Sequence, residues 1–257
     1  MLAAAALAIA GCGGAKERTP PQPVSLTLHV PCMIGGPMHK VAAEYQAAHP
    51  GVTIRPETYK PQEALGNGRG PALVVTTGDR EMEALVRAGL VDKRQARTFA
   101  VNRYPLVVVA PAEGAPGLKT LADLAGASVK RVLLESPSRS TLGERAAQGL
   151  RKLDLWEKVR LKLVEPEPGS MVLGELLAGK GDALVVFKGC LFEEGGAPPK
   201  TIRIVGELPL RGQVPVLYQI APLRGRERAE SATEFITFLT RQEGKEALRK
   251  ARLEPAE

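Results

Sequence analysis

The sequence predicts an α/β fold in which helices cover both faces of a mainly parallel sheet. Apolar segments of β type alternate with helical segments along most of the chain. Strands that are buried on both faces carry near-continuous apolar runs, and residues 72–77 and 104–111 are runs of this kind. The chain has 257 residues, which is enough for one large domain or for two lobes of ordinary size.

The first half of the chain opens with an alternating strand and a glycine-containing loop. Strand 25–30 leads into Pro-Cys-Met-Ile-Gly-Gly at 31–36, and Pro37 suits the first turn of a helix because its φ is already fixed. Such a loop at a helix start is typical of ligand sites in α/β folds, because free backbone N–H groups point out of the helix. The other elements predicted in this half are helix 37–49, strand 52–57, strand 72–77, helix 80–88 and strand 104–111.

The second half continues the alternation of strands and helices. Ser140 and Thr141 directly precede a helical segment, and both residue types are favoured at the N-cap. The chain is predicted to end in a long amphipathic helix at 229–249. The elements predicted between these points are helix 120–124, strand 129–134, helix 142–152, strand 160–164, helix 170–178, strand 182–187, strand 201–206 and an apolar run at 214–221.

The charge pattern and the motifs exclude several classes of function. The net charge is +7, but Lys and Arg are scattered among Asp and Glu, which indicates a solvated surface and not a nucleic-acid site. The phosphate-binding motif G-x-x-x-x-G-K-[ST] is missing, so the chain is not a transport ATPase. With three histidines and neither a Ser-His-Asp pattern nor paired carboxylates, we expect no enzymatic activity and no cofactor.

The N-terminus is typical of an exported protein. Residues 1–10 are apolar and alanine-rich, and they are too short to span a bilayer. The following Ile-Ala-Gly-Cys sequence resembles the lipobox of bacterial lipoproteins, which implies cleavage before Cys12 and acylation of its thiol. Residues 13–23 are polar and proline-rich and are predicted to form a tether. We therefore expect a protein of the cell envelope, periplasmic or extracytoplasmic, that a lipid anchors to the membrane.

A series of segments resembles one family of binding proteins. After the lipobox come the strand–loop–helix opening and then, in order, the segments 71–79, 102–111, 121–125, 181–187 and 235–239. Their order is similar to that of the periplasmic molybdate-binding proteins of ABC importers and their type II solute-binding relatives. The resemblance covers nearly the whole mature chain.

This resemblance implies the type II periplasmic solute-binding fold, with two α/β lobes joined by two crossover strands that form a hinge. Lobe 1 would comprise residues 24–104 and 218–257, and lobe 2 residues 105–217. The crossovers would lie near 104–107 and 214–220, and the lobes would hinge shut around the ligand. The implied partners are a small inorganic ligand and an ABC permease in the membrane, and we expect the protein to be monomeric.

The resemblance also implies a set of ligand positions. Relatives hold a tetrahedral oxyanion with Ser hydroxyls, a Tyr hydroxyl and backbone N–H groups. This chain departs from that pattern, because Cys32 lies in the first serine-bearing loop and Phe187, which replaces the tyrosine, has no donor. The implied ligand positions are Cys32, Met33, Thr58, Thr77 and Gly78 in lobe 1, and Arg139, Ser140, Thr141, Phe187 and Cys190 in lobe 2.

The two cysteines leave three alternatives open. If they face one cleft as thiols, Cys32 and Cys190 could clamp a thiophilic metal ion or metalloid, with Met33 or His39 completing its shell. They could instead form a disulfide in an oxidising compartment and tie the lobes closed, an alternative ranked below the thiol clamp. Either could also be a small buried hydrophobe, and Met33 could be a core residue.

The prediction for function is a substrate-binding lipoprotein of an ABC importer. Its ligand would be a molybdate-like oxyanion or a thiophilic ion held by Cys32 and Cys190. Two alternatives come from other classes of protein. One is a thiol-redox or thiol-enzyme lipoprotein that uses the same two cysteines, and the other is a module that reports a ligand to a membrane partner.

Overall fold

A computed structural model describes residues 23–58, 72–103, 105–115, 117–167, 172–191, 199–210, 215–225 and 229–257. The predicted signal segment, the lipobox cysteine Cys12 and nearly all of the tether lie outside these residues. In the described part of the chain, no helix has both the length and the apolar character needed to cross a membrane.

Eleven strands and seven α-helices are described. The strands are β1 (Val24–Val30), β2 (Val52–Thr58), β3 (Leu73–Thr76), β4 (Arg97–Asn102), β5 (Leu106–Pro111), β6 (Val132–Leu133), β7 (Leu163–Val164), β8 (Ala183–Phe187), β9 (Ile202–Glu207), β10 (Val216–Pro222) and β11 (Glu254–Pro255). The helices are α1 (Gly35–Ala48), α2 (Asp79–Arg87), α3 (Thr141–Lys152), α4 (Trp156–Val159), α5 (Val172–Leu177), α6 (Ala229–Thr240) and α7 (Gln242–Lys250).

The strands form two sheets, and each sheet is the centre of one lobe. The sheet of lobe 1 has six strands in the order β11-β4-β10-β3-β1-β2, and that of lobe 2 has five in the order β7-β6-β8-β5-β9. The chain passes from the first sheet to the second between β4 and β5, and it returns between β9 and β10. The two-lobed α/β architecture predicted for the chain is therefore confirmed.

The expectation of mainly parallel sheets was wrong, because both sheets are mixed. β1 runs parallel to β2 and β3, and β6 runs parallel to β7 and β8. By contrast, β10 is antiparallel to β3 and β4, and β5 is antiparallel to β8 and β9. The antiparallel strands β5 and β10 are the first strands after each crossing between lobes. A strand that enters a sheet from the other lobe does not follow a βαβ crossover, so the rule that makes neighbours parallel does not apply to it.

The core consists of aliphatic side chains with a few aromatic rings, as the low aromatic content of 4% requires. In lobe 1, helix α1 buries Met38, Val41, Ala42 and Tyr45 against the sheet side that carries Leu26 and Leu28. In lobe 2, β5 is completely buried from Leu106 to Ala110. The rigid sheets and their covering helices hold the loops at the strand ends, where the predicted site residues lie.

Several predicted elements differ from the observed ones at their boundaries. The long C-terminal helix is interrupted at Arg241, so that α6 and α7 are separate helices. A Cβ on Gly244 would lie 2.0 Å from the carbonyl oxygen of Phe238, so the turn packs α7 against the end of α6 at a position that only glycine fits. The helix predicted at 120–124 is a 3₁₀ segment, Leu121–Ala125, with a Thr120–Asp123 capping box.

Candidate functional site

The two predicted site cysteines meet across the lobes. Cys32 lies in a 3₁₀ turn after β1, and Cys190 lies in a 3₁₀ turn after β8. They are 158 residues apart in sequence, and a disulfide joins them with their Cα atoms 5.4 Å apart. Of the three alternatives, the structure thus contains the disulfide, and the ranking that placed it below the thiol clamp was wrong for this form. Neither sulfur has a thiolate to offer a metal while the bond is intact.

Of the two other predicted soft ligands, one is buried and the other is exposed. Met33 is buried, and its sulfur accepts a hydrogen bond from the Tyr218 hydroxyl over 3.8 Å. His39 lies exposed on helix α1. Within the described ranges, no group of three or more His, Cys, Asp or Glu side chains is placed to hold a metal ion. The thiophilic clamp therefore stays a prediction for the reduced form.

Three further predicted positions lie in the hydrophobic core, on the exposed surface and at the end of a strand. Phe187 is only 3% exposed and belongs to the hydrophobic core. Arg139 is exposed and forms an ion pair with Glu165 of its own lobe. Thr58 is the last residue of β2, and its Oγ1 would lie 3.8 Å from a Cβ on Gly35, which places it beside the start of α1.

The remaining four predicted positions, Thr77, Gly78, Ser140 and Thr141, come together where the two lobes touch. Two of them converge on a residue that the sequence analysis missed, Glu81 in the first turn of α2. Thr141 donates its backbone N–H to Glu81 Oε1 over 2.7 Å and its hydroxyl to Glu81 Oε2 over 2.6 Å. Thr77 donates its hydroxyl to Glu81 Oε1 over 3.3 Å. The Glu81 carboxylate of lobe 1 therefore sits at the N-terminus of a lobe 2 helix, a position that favours negative charge.

Gly78 allows the lobes to approach at this point. A Cβ on Gly78 would lie 2.4 Å from Thr141 Oγ1, a distance at which a neighbour must move. Gly78 is buried although it lies in a loop between β3 and α2. A glycine at this position is thus a requirement of the closed arrangement.

Ser140 caps helix α3, as predicted, and also holds a second carboxyl group. Its hydroxyl oxygen accepts the N–H of Gly143 over 3.2 Å, and its hydroxyl proton is donated to Glu135. Part of Glu135 is exposed to solvent, but protein atoms surround its carboxyl group. This burial raises the pKa of Glu135. The negative charge of Glu81 raises this pKa further, whereas the hydrogen bond from Ser140 opposes the rise.

A charged pair forms a second link between the helices α2 and α3. Arg80 Nε and Nη2 each donate to a carboxylate oxygen of Glu144 over 2.9 Å, and Nη1 donates to the Ser138 carbonyl over 3.3 Å. The hydrogen bond lowers the pKa of Glu144 and raises that of Arg80. Both side chains are about one-third exposed, so water screens the pair, but its forked geometry fixes how α2 and α3 face one another.

A cavity of about 350 Å³ lies beside α2 and is distinct from these interlobe contacts. Its lining includes Met82, Val86 and Lys93, and Gln219 donates a hydrogen bond to Asp79 at its edge. None of the predicted site residues in the described part of the chain lines it. The candidate site is therefore the interlobe contact that involves Thr77, Gly78, Glu81, Glu135, Ser140 and Thr141.

Comparison with known families identifies this architecture. A family model described as bacterial extracellular solute-binding protein matches residues 26–251. The chain belongs to this family. Since the match spans nearly all the described residues, both lobes are part of the family domain, and the interlobe contact is internal to that domain.

Two relatives are similar over most or much of the chain. YvgL of Bacillus subtilis (strain 168), named as an ABC transporter substrate-binding lipoprotein, is 24% identical over 249 residues, which cover 95% of this chain and 92% of YvgL. The molybdate-binding protein ModA of Haemophilus influenzae (strain ATCC 51907 / DSM 11121 / KW20 / Rd) is 25% identical over 183 residues, covering 68% of this chain and 67% of ModA.

Solved structures show the same fold. The periplasmic molybdate-binding protein of Azotobacter vinelandii has a TM-score of 0.60 at 17% identity. The alignment covers 90% of this chain and 100% of the Azotobacter chain. The sulfate-binding protein SubI of Mycobacterium tuberculosis H37Rv has a TM-score of 0.61 at 18% identity, with 91% and 88% covered. The fold of this chain is thus that of the type II periplasmic binding proteins.

Proposed function

We propose that this chain is the substrate-binding component of an ABC importer and that it captures a small oxyanion between its lobes. The observation that carries this proposal is the Glu81 carboxylate. It is held by a backbone N–H and two hydroxyl groups, and two of these three donors come from the opposite lobe. Donors that hold a carboxylate oxygen pair can also hold the oxygens of molybdate, tungstate or sulfate.

The position of these donors adds an electrostatic argument. Thr141 is the first residue of α3, a helix of 12 residues, so its N–H is one of the groups left free at a helix start. The dipole of such a helix favours an anion by about 0.3–1 kcal/mol at an exposed position. An oxyanion bound by Thr77 and Thr141 would contact both lobes and would therefore favour the closed form.

The relatives support the wider setting of this proposal. YvgL is named as a substrate-binding lipoprotein, and the structural neighbours include molybdate-binding and sulfate-binding proteins. By analogy, the chain would be anchored through Cys12, act outside the cytoplasm as a monomer and deliver its ligand to a membrane permease. The lobes would comprise residues 24–104 with 218–257 and residues 105–217. Ligand binding, rather than catalysis, is the proposed role of the cleft.

A second candidate ligand applies only to the reduced protein. In a closed conformation of the reduced protein, Cys32 and Cys190 would present two thiols from opposite lobes with Cα atoms near the present separation of 5.4 Å. Two thiolates at such a distance suit Cu(I) or arsenite, since soft ligands select soft ions. Titration of Cu(I) and arsenite into the reduced chain and its Cys32→Ser and Cys190→Ser variants tests this candidate. Binding that survives both substitutions would rule it out.

Calorimetric titration of the oxidised and the reduced chain with molybdate, tungstate and sulfate tests the oxyanion proposal. We expect at least one of these anions to bind and Thr141→Val to weaken it about tenfold or more, because a hydrogen bond to a charged group is worth about 1.5–3 kcal/mol. Thr53→Val is a matched control, since Thr53 is exposed on β2. The proposal is wrong if no oxyanion binds in either redox state to the chain or to a variant that lacks the Glu81 carboxylate.

A further inference from the structure

We propose that Glu81 is a built-in competitor for the anion site and thereby sets how strong a ligand must be to enter it. This inference rests on the proposed function, because it assigns the same donors to an oxyanion. In the structure the donors are already occupied by a group of the protein itself. A ligand that needs them has to displace the Glu81 carboxylate first.

The contacts show that the carboxylate occupies these donors fully. Glu81 Oε1 accepts the Thr141 N–H and the Thr77 hydroxyl, and Glu81 Oε2 accepts the Thr141 hydroxyl. Each of these donors carries a single hydrogen, so a strong bond to an incoming oxygen requires loss of the bond to Glu81. Glu81 and an oxyanion are therefore mutually exclusive on this donor set.

The surrounding charges favour this exclusion. Glu135 accepts a hydrogen bond from Ser140, the residue before Thr141, so a second carboxyl group lies beside these donors, and the charge of Glu81 raises the pKa of Glu135. The adjacent cation, Arg80, is engaged by Glu144 through two hydrogen bonds of 2.9 Å. An entering anion is thus repelled by the Glu81 carboxylate until Glu81 turns away from the donors.

The consequence for affinity follows from the fraction of molecules in which the donors are free. The apparent dissociation constant equals the intrinsic constant divided by the fraction that is competent to bind. A carboxylate tethered within the same chain competes at a high effective concentration, on the order of millimolar or more. Removing it should therefore tighten oxyanion binding, whereas an ordinary structural glutamate in the cleft would weaken binding when it is removed.

Calorimetric titration of molybdate, tungstate and sulfate into wild type, Glu81→Ala and Glu81→Gln tests this inference. We expect Glu81→Ala to bind at least one of these anions about tenfold more tightly than wild type. Glu81→Gln keeps the shape of the side chain and loses its charge, so it should also bind more tightly. It serves as the second variant if Glu81→Ala does not fold, as judged by thermal melting.

Glu83→Gln is the matched control. Glu83 lies two residues further along α2, is exposed and pairs with Arg87 over 3.7 Å. Its replacement should leave anion affinity within about twofold of wild type. Tighter binding in Glu83→Gln as well would show a general charge effect and overturn the specific role of Glu81.

The outcomes separate this inference from the proposed function. If wild type binds an oxyanion and the two Glu81 variants bind it equally or more weakly, the competitor role is wrong and the proposed function stands. If only the Glu81 variants bind, the inference is supported in its strongest form. If neither wild type nor any variant binds an oxyanion, the proposed function is wrong, and the competitor role is overturned with it.

Discussion

Gly78 leaves room for the Thr141 side chain of the opposite lobe. A substitution at Gly78 therefore tests the contact between the lobes directly. A methyl group added at Gly78 would lie 2.4 Å from Thr141 Oγ1. We expect Gly78→Ala to keep the lobes apart and to weaken anion binding about tenfold or more, as measured by calorimetry. The lobes themselves should remain folded, because the clash lies between them.

Gly35→Ala is the control for this substitution. Gly35 lies at the start of α1, where an added Cβ would meet its nearest neighbour, Thr58 Oγ1, at an ordinary contact distance of 3.8 Å. Its anion affinity should be close to that of wild type. Unchanged affinity in Gly78→Ala would mean that the contact between Gly78 and Thr141 is unnecessary for binding.

Glu135 gives a prediction for the dependence of stability on pH. Burial and the charge of Glu81 raise its pKa in the folded protein above the ordinary value of 4.5. Folding therefore favours the protonated form, and this contribution to stability is present below pH 4.5 and lost as the pH rises through the raised pKa. Glu135→Gln, which is permanently neutral, should be more stable than wild type at neutral pH, and the difference should shrink on acidification.

Thermal melting at a series of pH values from about 4 to about 8 measures this effect. Glu113→Gln is a suitable control, because Glu113 is exposed in the loop after β5. A difference between Glu135→Gln and wild type that stays constant across this pH range would contradict the assigned cause.

At the scale of single residues, four positions at the lobe contact could be predicted from the sequence, whereas Glu81 could not. Thr77, Gly78, Ser140 and Thr141 were predicted because the family resemblance places ligand-binding loops at these positions, and the structure brings them together between the lobes. Glu81 could not be predicted, because an acidic residue in a first helical turn is expected for reasons of the helix dipole alone. Only the packing of α2 against α3 shows that its carboxylate meets donors from the other lobe.

The start of α3 is the element on which the candidate site depends most. Ser140 Oγ satisfies the Gly143 N–H, and replacing such a cap by alanine costs about 1 kcal/mol, within a range of about 0.5–2 kcal/mol. We expect Ser140→Ala to lower the free energy of unfolding by this amount in urea denaturation. Loss of the hydrogen bond to Glu135 should add to the effect near neutral pH.

Ser138→Ala serves as the control for the cap, because Ser138 is exposed in the same turn and its hydroxyl hydrogen-bonds with the Ser136 hydroxyl over 3.1 Å. It should change stability by less than about 0.5 kcal/mol, as surface substitutions usually do. An equal loss in both variants would show that the cap makes no separate contribution.

The boundaries of elements were less predictable than their existence. The apolar pattern at 229–249 predicted one helix, but the structure has two, α6 and α7. Periodicity alone does not show that Gly244 lets the chain turn sharply beside Phe238. The prediction of parallel sheets failed for a similar reason. It treated each strand as part of a local βαβ unit, whereas β5 and β10 enter their sheets from the other lobe.

At the scale of the whole molecule, the disulfide couples the two lobes. It links residues that are 158 positions apart, and closing a long loop typically stabilises a protein by about 2–4 kcal/mol. We expect reduction with dithiothreitol to lower the free energy of unfolding by about this amount. Because the bond joins lobe 1 to lobe 2, reduction should also widen the distribution of lobe separations seen by small-angle X-ray scattering.

The double variant Cys32→Ser/Cys190→Ser is the control for the disulfide. Its stability should resemble that of the reduced wild type and should not respond to dithiothreitol. A reductant that leaves the wild type unchanged in both measurements would argue against a bond between these residues.

The two-lobed architecture could be predicted because the order of several weak motifs resembles that of a known family, which is shown here by the match over residues 26–251. The meeting of Cys32 and Cys190 could be predicted from the same resemblance, but their redox state could not. The sequence writes a cysteine in the same way whether it is a free thiol or part of a disulfide. Its redox state decides whether soft metal ions are candidate ligands.

Capture of an oxyanion between the lobes can be tested with a crystal structure of the chain with bound tungstate, located by the anomalous scattering of tungsten. We expect a single strong peak at the contact between the lobes, within hydrogen-bond distance of the Thr141 N–H and the Thr77 hydroxyl, with the Glu81 carboxylate displaced. A peak elsewhere, or tungstate bound while Glu81 keeps its present hydrogen bonds, would contradict it.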